Sequence, residues 1–371
     1  MRSRMPSPPT HDRRASAHKR LRSAVQTGFS RRRLNGWIPM IIERTDAAID
    51  DIVASTAPGE VVDLYPVGRA LTLEIVTHAL FGERLAGRSG EIGELMRNSQ
   101  DYIAHPTPPH PFPWGRQSRV RADRRAQDAI IDTEIAHHRQ HPSGDPANIL
   151  ETLVTAGELT DEEIRDQVVT LIGAGFDTTA ASLAWILWCT TVTDSLWDSL
   201  GAEADTVLNL ADEEGPPADT SSLAALRLAD AVVRETLWLH PAGALTPREA
   251  AVDIDAGGYH IRAGTMVVWS AHLIGRDPAA WADPLRFDPT RHRDLTPDQA
   301  ALARTAWLPF GAGAHNCIGF ALAQMELTLI TARLAQRLTL TPITTTIPEP
   351  VGVAVNRPDG DVAMHVTPRE L

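Results

Sequence analysis

Two stretches of this sequence hold residues that could do chemistry. The first is Phe310-Gly311-Ala312-Gly313-Ala314-His315-Asn316-Cys317-Ile318-Gly319, a glycine-rich loop that delivers one cysteine to the start of a helix. Glycine permits positive φ and a close approach of the backbone to another group. A helix N-terminus favours the thiolate form of a cysteine. The loop is therefore suited to holding the Cys317 thiolate against something flat and near; the plainer alternative is a buried free cysteine beside a turn. The second stretch is Gly173-Ala174-Gly175-Phe176-Asp177-Thr178-Thr179, in the middle of a long apolar segment. Paired glycines and adjacent threonines weaken a helix, and an unpaired aspartate inside it costs more still. Such a segment is either a deliberate weak point or a place of close helix packing, with the Thr hydroxyls bonded back to the preceding turn.

The elements that position these residues are mostly helical. Residues up to about Ser16 read as loop, and Ala17 to Leu34 as a basic helix with His18 and Arg22 one turn apart on the same face. Glu60 to Leu85 reads as a long apolar helix stopped at Gly82. His105 to Trp114 is a proline cluster and reads as a loop, followed by a charged helix from Arg116 to Arg139. Thr160 and Glu163 form a capping box that opens the longest helix, running to about Thr190 and expected to be buried because it is apolar nearly all round. A loop is expected around Gly215 to Ser222, then a helix from Leu228 to His240, halted by Pro241. Thr246 to Ser270 alternates as strands do, with turns at Gly257-Gly258 and Ala263-Gly264. Asp277 to Leu308 reads as irregular, Ile318 to Arg337 as a helix, and Thr339 to Val366 as short edge strands.

Phe310, Gly313, Cys317 and Gly319 match the pattern F-x-x-G-x-x-x-C-x-G without a mismatch, and on this loop the chain resembles the cytochrome P450 family. That resemblance implies a mainly α fold with small β-sheets and heme b between the long central helix and the cysteine-loop helix. It implies the Cys317 thiolate as the axial iron ligand, a ligation that favours O–O cleavage, with Phe310, Gly311, Gly313 and Gly319 forming the loop against the heme. His315 occupies the position of a propionate-binding Arg or His. Residues 174–179 resemble the family's oxygen-binding motif: Ala174 and Gly175 then make room above the heme, while Asp177 and Thr178 guide protons through water. His18 and Arg22 match a propionate-binding helix motif, with a solvated basic face as the alternative for His18, and Arg248 matches a third propionate position.

Glu235-Thr236-Leu237-Trp238-Leu239-His240-Pro241 is close to the family's E-T-L-R-L-H-P, but Trp238 stands where the family has Arg. Losing one partner of a buried ion pair costs roughly 3–5 kcal/mol. Glu235 therefore needs another partner: Arg291, in Phe287-Asp288-Pro289-Thr290-Arg291, or the Trp238 indole N–H. The expectation is that Glu235 pairs with Arg291 while Trp238 packs in the vacated arginine position.

Composition bounds the remaining choices. The chain has 371 residues, 43% of them hydrophobic, and a net charge of −12, which argues against nucleic acid as a partner. Lys19 is the only lysine. Two distant cysteines, Cys189 and Cys317, make no disulfide framework and suit a reducing, cytoplasmic setting; Cys189 is expected to be a core thiol. His137, His138 and His141 read as a wet helix face. No signal peptide and no membrane-length apolar run is read. The expectation is one domain over residues 1–371, a monomer, with the family's leading strands and first helices absent. By resemblance it is a monooxygenase that inserts one atom of O2 into a small apolar substrate, with electrons from NAD(P)H through a ferredoxin and its reductase; the competing reading is a non-catalytic heme-binding relative or helper.

Overall fold

The computed structural model describes residues 10–57, 59–104, 116–208, 218–293, 295–352 and 354–369. The proline cluster at 105–114 lies outside them. The helices, in chain order, are α1 (Thr10–Thr27), α2 (Arg31–Gly36), α3 (Ile38–Ser55), α4 (Leu64–Phe81), α5 (Glu83–Ala86), α6 (Ser89–Ala104), α7 (Arg116–Gln140), α8 (Ile149–Ala156), α9 (Asp161–Thr191), α10 (Leu196–Leu208), α11 (Thr220–Ala225), α12 (Arg227–Leu239), α13 (Ala271–Gly275), α14 (Pro297–Ala306) and α15 (Phe320–Arg337). The strands are β1 (Val61–Asp63), β2 (Thr246–Glu249), β3 (Ile254–Ala256), β4 (Tyr259–Ile261), β5 (Met266–Trp269), β6 (Leu338–Pro342), β7 (Pro350–Val351), β8 (Arg357–Pro358) and β9 (Ala363–Pro368).

The core lies where α3, α4, α9, α12 and α15 pack on one another. Thr160 and Glu163 make the capping box that starts α9, as the sequence predicts. From Thr179 to Thr190 every residue of α9 is buried, Trp185 and Cys189 among them. Between Leu171 and Thr178 burial is broken: Leu171, Ala174, Gly175 and Thr178 line a cavity. The expectation of a helix buried throughout therefore holds only for its C-terminal half. Among the described residues α9 is also the one helix long and apolar enough to cross a membrane by length and composition, contrary to the sequence reading, and 56% of that window is buried inside the protein.

Several boundaries differ from expectation for local reasons. Helix α1 starts at Thr10, directly after the prolines, not near Ala17. It ends at Thr27, not Leu34: a Cβ on Gly28 would lie 3.0 Å from Ile149 Cγ2 and 3.2 Å from the Val25 carbonyl, so the chain turns there against α8. The segment from Glu60 divides into β1 and α4 because the Asp63 side chain accepts from the Tyr65 N–H and caps α4. Helices α3, α6, α8 and α10 were not expected. Nor was α14, inside the stretch read as irregular, although Thr296 and Gln299 form its capping box. Helix α11 likewise begins within the expected Gly215–Ser222 loop, capped by Asp219.

The tail strands are not all edges. The three-stranded antiparallel sheet runs β1-β9-β6, so β9 is central; its Met364 and Val366 alternate inward. Strands β2 and β5 pair with Thr246 opposite Trp269 and Arg248 opposite Val267. Strands β3 and β4 form a hairpin around Gly257-Gly258.

Candidate active site

The Cys317 loop is a tight backbone structure. The Cys317 N–H donates to the Phe310 carbonyl at 2.8 Å and the Gly311 N–H to that of Leu308 at 3.0 Å. Gly311 and Gly313 have φ of +70° and +73°, a region where a Cβ meets the following carbonyl. Phe310 is wedged between Trp307 and Phe320, with ring centroids 5.9 and 6.2 Å away. The loop thereby presents Cys317 to a cavity of about 330 Å³ walled by the loop, α9 and α15. A Cβ on Gly319, also in that wall, would meet nothing within 4 Å.

The thiol corrects one expectation. Helix α15 begins at Phe320, three residues after Cys317. Burial raises the Cys317 pKa, and the Gly319 N–H and Arg22 only partly oppose it. Desolvation outweighs the nearby donors here, and a bound cation would deprotonate a coordinating thiol outright.

Beside the loop is a set of basic side chains drawn from three parts of the chain. The His18 and His315 rings lie 4.0 Å apart between centroids. The Arg22 Nη2 donates to Asn316 Oδ1 at 2.5 Å, and Arg248 Nη1 donates to the Pro247 carbonyl at 2.8 Å. Thr246 and Arg248, two residues apart on β2, both face the cavity, as strand alternation requires. Burial lowers the His315 pKa, and His18, Arg248 and Arg22 lower it further. Neither arginine has a carboxylate partner among the described residues, so the group is fitted to accept anionic oxygens.

Across the cavity, α9 presents Ala174 and Thr178. The Thr178 hydroxyl donates to the Ala174 carbonyl at 2.7 Å and that of Thr179 to the Gly175 carbonyl at 2.7 Å, so the back-bonding reading of these threonines holds. Gly175 touches the cavity but packs mainly on α4: its Cβ would come within 2.8 Å of Val76 Cγ2. Asp177 does not line the cavity. Its Oδ1 lies 3.2 Å from Arg69 Nε; burial raises its pKa, with Arg69 and Arg357 opposing.

The Cytochrome P450 family profile matches residues 10–362. This chain belongs to the cytochrome P450 family. It is 33% identical to putative cytochrome P450 139 of Mycobacterium tuberculosis (strain ATCC 25618 / H37Rv) over 86% of this chain and 74% of that protein. It is 31% identical to cyclooctat-9-en-7-ol 5-monooxygenase of Streptomyces melanosporofaciens, over 89% of this chain and 72% of the relative. The pentalenene oxygenase of Streptomyces avermitilis is also 31% identical, over 88% and 72% of the two chains. In fold it matches the solved structure of retinoic acid bound cyanobacterial CYP120A1 with a TM-score of 0.80 at 24% identity, covering 94% of this chain and 78% of the other. The protein is thus a heme monooxygenase of mainly α fold. Its residues suit heme b: an accessible thiol, open space over Gly319, an apolar wall, and basic side chains with no carboxylate partner among the described residues.

Behind this P450's cysteine loop, the departure at Trp238 is accommodated. Glu235 is wholly buried. Its carboxylate accepts from the Asp288 N–H at 2.8 Å and from Arg291 Nε at 3.1 and 3.2 Å, and His292 Nε2 lies 3.1 Å from Oε2. The Arg291 guanidinium sits 4.3 Å over the Trp238 ring, a cation–π contact. Pairing with Arg291 is as expected, but the Trp238 indole N–H has no partner among the described residues and gives Glu235 nothing. Sequence reasoning missed His292, Arg69, Trp269 and Glu326. Thr246 was legible in principle, two residues before Arg248; Arg69 carries no local signal of its pairing with Asp177. Elsewhere Cys189 is a core thiol, pushed up to about 12 by burial. Of the three histidines read as a wet face, His138 is buried.

Proposed function

We propose that this P450 oxygenates a small, apolar, ring-containing terpenoid, with electrons delivered from NAD(P)H by a ferredoxin and its reductase. The observation that carries the substrate class is the apolar part of the cavity wall, formed by Phe29, Val76, Leu80, Ile149 and Leu171 beside the polar Thr178, Thr179 and Ser182. The names of two relatives, which specify cyclooctat-9-en-7-ol and pentalenene, support the same class. A terpenoid is nearly all carbon surface, and such a wall binds it by removing that surface from water.

Heme b supplies the iron centre at which O2 is split. In this reading Cys317 ligates it and pushes electron density toward it. His18, Arg22, Arg248 and His315 hold the propionates. Phe310, Gly311, Gly313 and Gly319 keep the loop thin enough for close approach. Ala174 leaves space on the opposite face, and Gly175 seats α9 on α4 beside it. Thr178 is bonded back through its hydroxyl proton, so its oxygen is left to accept a hydrogen bond from the cavity. Asp177, 3.2 Å from Arg69 Nε, guides protons toward that face together with Thr178.

The absorption spectrum of the reduced, carbon-monoxide-bound protein is the decisive measurement. The wild type is expected to show the strongly red-shifted Soret band of thiolate-ligated iron, and Cys317→Ser to lose it while keeping its helical circular dichroism. An unshifted band in the wild type would overturn the assignment of Cys317.

A further inference from the structure

Helix α15 has two lined faces. Leu322, Ala323, Glu326 and Leu327 face the cysteine cavity. At 3.6 residues per turn the opposite face carries Phe320, Ala321, Gln324, Met325 and Thr328, and these line a second, more open cavity of about 560 Å³. Its other walls are α12, the end of α11, and His292 and Arg293 at the end of the 3₁₀ turn Pro289–His292.

The wall opposite α15 is basic, in a chain of net charge −12. Arg227, Asp230, Ala231 and Arg234 all line the groove, at the i, i+3, i+4, i+7 spacing of one helix face. Arg293 adds a third guanidinium from the turn. Asp230 is the one carboxylate in the lining among the described residues, and it is engaged: its Oδ2 lies 2.7 Å from Arg234 Nε. Arg227 and Arg293 are exposed and have no carboxylate partner among the described residues. His292 stands between the groove and the buried Glu235, with its Nε2 3.1 Å from Glu235 Oε2.

The rest of the lining is largely apolar. Leu223, Leu226 and Met325 form part of it, with Phe320, which is 43% exposed and lies 6.2 Å from the Phe310 ring of the cysteine loop. The Thr328 hydroxyl donates to the Gln324 carbonyl at 2.7 Å, so toward the groove it only accepts, while the Gln324 amide can donate. A bare inorganic ion would meet the guanidiniums but leave the apolar surface in water. A neutral apolar molecule would cover that surface but leave the cations unused. A molecule with an anionic head and an apolar body satisfies both, because guanidinium binds carboxylate and phosphate oxygens in pairs.

We propose that this groove is a binding site for a small organic anion, a carboxylate or phosphate ester with an apolar body, separate from the substrate cavity on the opposite face of α15. The head meets Arg227 and Arg293, and the body lies on Phe320 and Met325. Bound there, the anion bridges α12, the turn that carries Arg291 and His292, and the helix that follows Cys317. It is an effector and not a substrate: it favours the folded frame behind the cysteine loop by binding that frame alone.

The probe is phenyl phosphate, titrated by calorimetry into the heme-loaded protein, in which the basic group beside His315 does not compete. Saturable one-to-one binding is expected, with a thermal midpoint that rises as the site fills. Arg227→Ala/Arg293→Ala, changed at two exposed side chains, should bind the probe about tenfold or more weakly, the loss expected for charged hydrogen bonds, with the Soret and carbon-monoxide spectra of the wild type. Inorganic phosphate should bind about tenfold or more weakly than phenyl phosphate, since it covers no apolar surface. Absence of saturable binding, or equal affinity in the double variant, would overturn the site. Equal affinity for inorganic phosphate would reduce it to a basic patch and overturn the ligand class. None of these outcomes depends on how the cysteine cavity is read.

Discussion

At the scale of single residues, Trp238 stands where the cytochrome P450 motif read in this sequence has arginine. Glu235 already receives the Asp288 N–H and Arg291, with His292 against its second oxygen. Trp238 is 2% exposed and packs on Trp281 at 5.2 Å between ring centroids. Restoring the family arginine would therefore put a second guanidinium beside Arg291 and leave a gap against Trp281. Trp238→Arg should destabilise the protein by about 2–4 kcal/mol, in the range of unpaired buried charge and lost packing, as read from the urea midpoint. An unchanged midpoint would mean that the site still accepts the arginine and has not been rebuilt around tryptophan. A sequence can show the swap but not its compensation, because Arg291 and His292 lie more than fifty residues away and are brought in by a 3₁₀ turn at Pro289–His292.

At the scale of elements, the seam between α4 and α9 sets the far wall of the cavity. Gly175 meets Val76 of α4, with less than 3 Å available to a Cβ, and Gly173 likewise meets Met96 of the neighbouring α6. Thr72 of α4 donates to the Phe176 carbonyl of α9 at 3.0 Å, tying the helices at that level. Gly175→Val forces the helices apart and should cost about 1–3 kcal/mol, lowering the thermal midpoint. Heme retention should fall with it, read as the ratio of Soret to protein absorbance, because Ala174 and Thr178 ride on the displaced turn. Retention equal to wild type would show that the seam does not set the wall. The packing reading of the glycine-threonine segment is realised: the glycines serve packing and the hydroxyls bond backward, within a continuous helix of which one face lines the cavity.

At the scale of the whole molecule, buried titratable groups set the pH range in which the fold is stable. His240 is 7% exposed and stacked on Trp185 at 3.9 Å, and burial pushes its pKa down to about 3. Above pH 6.5 it is neutral folded or unfolded and contributes no pH dependence. Between 6.5 and about 3 the unfolded chain binds a proton that the folded protein excludes, so stability falls as pH drops, by roughly 1.4 kcal/mol per pH unit for one such group. Glu326, whose pKa burial raises well above its ordinary value of 4.5, acts with the opposite sign: from 4.5 upward the unfolded chain releases a proton that the folded one keeps. His240→Phe, which preserves the stack on Trp185, should flatten the loss of stability between pH 6.5 and 4.5, followed by urea unfolding at several pH values. A slope equal to wild type would assign the acid sensitivity to other groups.

The sequence by itself determined the glycine-rich cysteine loop, the capping box of α9, the β2–β5 region and the membership that these motifs announce. Each is a local pattern of a few residues whose backbone or capping chemistry depends on its immediate neighbours. Only the tertiary structure decided that β9 is a central strand and that Arg69 holds Asp177 outside the cavity. It also decided that burial raises the Cys317 pKa, and that Glu326 shares the cavity lining with Thr178, Thr179 and Ser182. Those outcomes depend on burial and on partners distant in the chain, and desolvation is a property of the packed interior that no spacing of residues encodes.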